Sequence, residues 1–140
     1  MLFMDDEAPS PGTAHLVVDG EQQLLIESHA GAARIDLIQE SFLRVTGRPL
    51  LSRGENLWST PQVVLAHGSE ADPIFFYANR MALALFEMPA GEIVRMPSRF
   101  SAEPMERDER ARFLDAVAAQ NYIADYSGVR ISRCGSRFRI

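Results

Sequence analysis

Arg80, Arg99 and Arg130, taken with Glu103 and Asp125, are the residues of this chain whose types could do chemistry. An arginine fork holds a carboxylate or phosphate through paired N–H···O bonds, so the set could bind a small anionic ligand or act on a small acidic substrate. The same residues can pair with one another and lock strands to helices. Internal pairing is the preferred reading.

Histidine and cysteine offer less. His15 and His29 lie in the N-terminal tail or at its edge, and His67 ends an apolar run. None is spaced with another His, Cys or carboxylate as a metal site requires. Cys134 stands in a turn, far in sequence from any histidine, and reads as an exposed thiol rather than a nucleophile. No GxGxxG, P-loop or GxSxG occurs. No catalytic residue, metal or cofactor is expected. The aromatics Phe76, Tyr77, Phe86, Tyr122 and Tyr126 read as core before they read as a cofactor box.

Composition narrows the classes further. At 140 residues and 46% hydrophobic content, the chain is long and apolar enough for one domain with a real core. The net charge of -5 argues against a surface that binds nucleic acid. The arginine-rich end, with Arg130, Arg133, Arg137 and Arg139, reads as the solvated face of a hairpin. No apolar run approaches the roughly 20 residues that span a bilayer. The acidic N-terminus lacks the basic and apolar regions of a secretory signal. A single cysteine allows no internal disulfide and fits a reducing cytoplasm, the expected location.

The elements that must position these groups follow from periodicity. Residues 1–20 are rich in Asp, Pro, Ser and Gly without a repeat, and read as a flexible tail. Residues 21–61 are an N-terminal helical segment and connector. Ile35, Ile38, Phe42 and Val45 recur every three to four positions, predicting an amphipathic helix over 32–46 closed by Gly47. Leu57-Trp58 suggests an apolar plug. Residues 62–67 and 74–77 read as strands, and Asn79 as the cap of a short helix. Residues 90–101 look like short helical turns, and Ser101 caps a long helix whose Glu103–Arg107, Glu106–Arg110 and Asp108–Arg112 pairs solvate one face. Residues 122–140 form two strands about the turn at 133–136, with a bulge at Gly128.

That order, from Gln62 onward, resembles a PAS-type sensor fold. Three stretches, YANR at 77–80 with Ala82-Leu83, PSRFSAE at 97–103 and DYSGVRIS at 125–132, resemble the MEKHLA domain. This is a PAS-related module of bacterial proteins and of certain plant homeodomain-zipper transcription factors. Helix-end residues 46–48 and the segment 57–67 are also similar to bacterial stand-alone members, so the resemblance spans roughly residues 30–140. It implies an α+β fold: a PAS-like antiparallel sheet with short helices and one long helix on one face, plus the N-terminal amphipathic helix, over a PAS-like domain at 62–140. Asn121 stands where a glycine is expected, and Pro89-Ala90 where members often carry tryptophan. Members also continue past residue 140 into a further strand, so the final strand is expected to be missing.

The resemblance implies a non-enzymatic sensory or interaction domain that binds a small molecule or a signalling protein and signals by a conformational shift. Flavin photosensors of this class need a cysteine within a stretch like 90–101, and haem sensors a histidine within 102–121; neither is present. A flavin-binding redox or light sensor is therefore the alternative, and an enzyme at the arginine cluster a more distant one. The expected ligand pocket comprises Tyr77, Asn79, Arg80, Phe86, Arg99, Tyr126 and Arg130. Without a final strand, 62–67 would keep an open edge, which predicts a homodimer. Asn79→Asp is expected to be milder than Asn79→Ala, as for an ordinary cap.

Overall fold

The computed structural model describes residues 2–5, 19–102, 112, 115, 119 and 128–139. In chain order these form β1 (Leu2–Asp5), α1 (Asp19–Ala30), α2 (Ala32–Thr46), β2 (Val63–His67), β3 (Phe75–Ala78), α3 (Arg80–Phe86), α4 (Ala90–Ile93), a 3-10 turn at Ser98–Ser101, β4 (Val129–Ile131) and β5 (Arg137–Arg139). β1, β2 and β3 make one antiparallel sheet in that order, and β4 pairs with β5 in a second. The architecture is α+β, with short antiparallel sheets and several helices.

The centre of the molecule is β2 and β3. Their β-branched, aromatic and large apolar residues suit a pleated surface. Val63, Val64, Leu65, Phe75 and Tyr77 are all buried. Leu65 pairs with Ala78 and Ala66 with Tyr77, and a bulge follows between Ala66 and His67. That bulge stands in β2; Gly128, read as a bulge within a strand, instead precedes β4. α3 packs Ala82, Leu83 and Phe86 into the same core, joined by Ala90 and Ile93 of α4 and by Ile26 and Ile38 of α1 and α2. Each large apolar side chain so buried contributes about 1.5–3 kcal/mol.

Two features fix the helical layer. Gly31 takes φ +78, which folds α1 back against α2, and its N–H donates to Glu27 O at 2.9 Å. A side chain with a Cβ is strained at that angle. Gln22 Oε1 accepts from Ala90 N at 2.6 Å, so a residue of α1 satisfies an orphan N–H at the start of α4. α2 ends as its sequence predicts, with Gly47 left-handed and its N–H donating to Leu43 O.

Two expectations need correction. Residues 1–20 are not all tail: Leu2–Asp5 pair with β2, and Asp19 begins α1. β2 consequently has a partner on both sides, so the open edge invoked for a homodimer is filled by β1 of the same chain. The physical reason is the edge itself, since its N–H and C=O groups gain partners from any extended segment within reach. Ser101 closes the 3-10 turn, donating from Oγ to Ser98 O at 2.6 Å. The helix expected after it lies mostly outside the described residues, as do Glu103, Glu106, Arg107, Asp108, Arg110, Asn121, Tyr122, Asp125 and Tyr126. Arg112, Asp115 and Ala119 are helical and exposed, at spacings that share one helix face.

Candidate functional site

Asn79 answers for the joint between β3 and α3. It is fully buried, and its Oδ1 accepts from Ala82 N, capping α3, and also from Val64 N, both at 3.0 Å. Its Nδ2 donates to Gln62 O at 2.6 Å. One side chain thus caps a helix and ties that helix to β2. It is a structural lock.

The other residues of the expected pocket occupy separate places. Arg80 pairs with Asp19 of α1 at 3.3 Å, and Arg99 pairs with Asp72 at 3.0 Å while lying over the Phe100 ring. Arg130 is buried in β4, where Ala102 bridges to it. Phe86 is core, with its ring edge-on to Phe138 at 4.9 Å. Their partners Asp19 and Asp72 are not those expected, and Glu103, Asp125 and Tyr126 lie outside the described residues. Of the set, Tyr77 alone lines a described cavity.

That cavity, of about 260 Å³, lies between the helical layer and β3. α1 contributes Gln23 and Glu27, and α2 contributes Ile35 and Gln39. The α2–β2 connector adds Leu51, Glu55, Asn56, Leu57 and Trp58. Asn56 shapes this connector, because its Oδ1 accepts from Ser59 N at 2.9 Å and its carbonyl from Thr60 N at 3.0 Å. Such a turn leaves Glu55 and Asn56 exposed at the rim while Leu57 and Trp58 are buried below. The apolar plug read in the sequence is therefore the floor of a pocket.

Its chemistry is acidic and amide-rich. Gln23 Nε2 donates to Glu27 Oε1 at 2.9 Å, and Glu55 Oε2 accepts from Ser52 N at 2.9 Å. No arginine is among the described residues that line it. Tyr77 is only 1% exposed, and its hydroxyl has no hydrogen-bond partner among the described residues. Burial, and secondarily the charge of Glu27, push its phenol well above the usual range, so it stays neutral and able to donate. Tyr77 is one of the residues that line the cavity, which leaves its hydroxyl free to serve a molecule bound there. Sequence reading missed Gln23, Glu27, Gln39, Glu55 and Asn56. The one available signal was Leu57-Trp58, two large apolar residues inside an otherwise polar connector.

Short antiparallel sheets with small helices packed across them make this an α+β domain, an arrangement consistent with a PAS-related one. The chain belongs to the MEKHLA domain family, whose model matches residues 32–140. MEKHLA domains are PAS-related sensory domains and are not typically catalytic. No curated protein and no solved structure matches the chain. Among the described residues no helix is long and apolar enough to cross a membrane.

Proposed function

We propose that the protein is a cytoplasmic, non-enzymatic sensory domain that binds a small molecule in the cavity over Tyr77 and needs no built-in cofactor. The observation that carries this reading is Tyr77, a residue only 1% exposed that lines the cavity and whose hydroxyl makes no hydrogen bond to another described residue. A ligand there would touch α1, α2, the connector and β3 together. It would favour the arrangement in which the helices are held against the sheet, by as much as its affinity differs between the two arrangements. At one hundred times its dissociation constant, a ligand specific to one state stabilises that state by about 2.7 kcal/mol. The shift would be read on the outer faces of the helices, where Leu24 of α1 and Leu37 and Leu43 of α2 are about half exposed or more. A signalling protein, or a second copy of this chain, is the partner such a face suits.

Native mass spectrometry of gently purified protein tests the reading. The expected result is an added mass released on denaturation and absent from Gln39→Phe, which fills the cavity. A bare mass, together with no response of Trp58 fluorescence to a panel of small polar metabolites, would overturn it.

A further inference from the structure

The reading above leaves open what kind of molecule enters the cavity, and its lining answers. Two carboxylates, Glu27 and Glu55, line it together with the amides of Gln23, Gln39 and Asn56. Neither carboxylate has an arginine partner among the described residues; the ion pairs there are Arg80–Asp19, Arg99–Asp72 and Arg133–Glu92. Beneath them are the aromatic side chains of Trp58 and Tyr77, both buried, and the Tyr77 hydroxyl is unpartnered among the described residues. An anion entering this cavity would meet two like charges with no counter-charge from the described lining residues. A neutral polyol would satisfy the amides but leave both carboxylates uncompensated. An ammonium group carries three donors and one positive charge, which match carboxylate, amide carbonyl and phenol oxygens. Aromatic rings near a cation add further attraction.

From this lining, in a step that rests on the ligand-pocket reading, we infer that the cavity binds a small organic amine in its protonated, ammonium form. The volume sets the size. At roughly 30 Å³ for each water, 260 Å³ holds the space of about nine waters, below the range of drug-sized pockets. A short aliphatic mono- or diamine fits that space, and a nucleotide or flavin does not.

The test uses the chain's single tryptophan, Trp58, which lines the cavity and reports its occupancy by fluorescence. Three four-carbon probes share a skeleton and differ in charge: butane-1,4-diamine, butane-1,4-diol and butanedioate. The expected result is a saturable change with the diamine alone, weakened by added salt. Glu27→Gln and Glu55→Gln should each reduce diamine affinity about tenfold, the scale of one hydrogen bond between charged groups lost. Glu40→Gln, on the exposed side of α2, should leave it unchanged. Glu55 is exposed on the connector, so its variant keeps the test valid should Glu27→Gln fold poorly. Saturable binding of the diol or of butanedioate, without the diamine, would overturn the amine assignment while leaving a small-molecule site in place. No response to any of the three would overturn the assignment too. If the purified protein also shows a bare native mass, the ligand-pocket reading falls with it.

Discussion

Asn79→Ala removes three hydrogen bonds from a fully buried position, and the structure allows the cost to be worked. Losing the cap to Ala82 N costs about 0.5–2 kcal/mol on its own. The same change strips Val64 N, which is also fully buried, of its acceptor, and an orphaned buried donor costs about 1–3 kcal/mol. Gln62 O loses its 2.6 Å donor as well. Because the terms overlap, the expected total is about 3 kcal/mol. With a urea dependence of roughly 1–3 kcal/mol per molar, the unfolding midpoint should fall by about 1–3 M. The structure also reverses the expectation that Asn79→Asp is mild. Aspartate keeps the acceptor but sets an oxygen against Gln62 O and buries a charge, so it should destabilise about as much as alanine. A carboxyl held there has a raised folded-state pKa. Its neutral form is the tolerated one, so the Asn79→Asp deficit should shrink as pH falls from 7 toward 4. Urea melts at both pH values check this. A loss below about 1 kcal/mol for Asn79→Ala would mean that Asn79 is an ordinary surface cap and does not lock β2 to α3.

Three further outcomes follow from particular contacts. Burial, foremost, lowers the His67 pKa from 6.5, so the folded state prefers the neutral ring; that preference is fully present above about pH 6.5 and is lost as pH falls toward the lowered value. His67→Phe should flatten the stability slope between pH 6.5 and 5 in thermal melts, and an unchanged slope would remove His67 as its source. Deleting residues 2–5 should bare one edge of β2, speeding amide exchange across Val63–His67 and promoting concentration-dependent association in sedimentation; unaltered exchange there would refute the β1–β2 pairing. Arg99 and Asp72 are both more than half exposed, so a double-mutant cycle on Arg99→Ala and Asp72→Ala should give a coupling below about 1 kcal/mol, smaller still in high salt.

What the sequence reveals and conceals here follows from how local each signal is. α2 and its Gly47 cap, the strands about Asp72-Pro73, the Asn79 cap and the hairpin turn at Arg133-Cys134 are written in neighbouring residues, and the structure has them. α1 has no such stripe: Leu24 is 68% and Leu25 39% exposed, while Ile26 and Ala30 alone are buried. Its polar side chains Gln23 and Glu27 matter only because Gly31 turns the next helix back over them. β1 is four residues long, too short to be told from a tail until an open strand edge lies beside it. Arg80 and Arg99 do form ion pairs, but Asp19 lies 61 positions from Arg80 and Asp72 lies 27 from Arg99, separations that local pattern does not bridge.

Hydrogen exchange with and without a cavity ligand tests the central claim most directly. The ligand is the compound retained through purification or, failing that, the probe that saturates the Trp58 signal. A sensor built on this cavity should show slowed exchange in α1, α2 and the connector at residues 51–58 on saturation, with β2 little changed because it is already the buried centre of the sheet. Saturation that leaves α1 and α2 exchanging at their unliganded rates would contradict the account, since a ligand that does not bias those helices cannot signal through them.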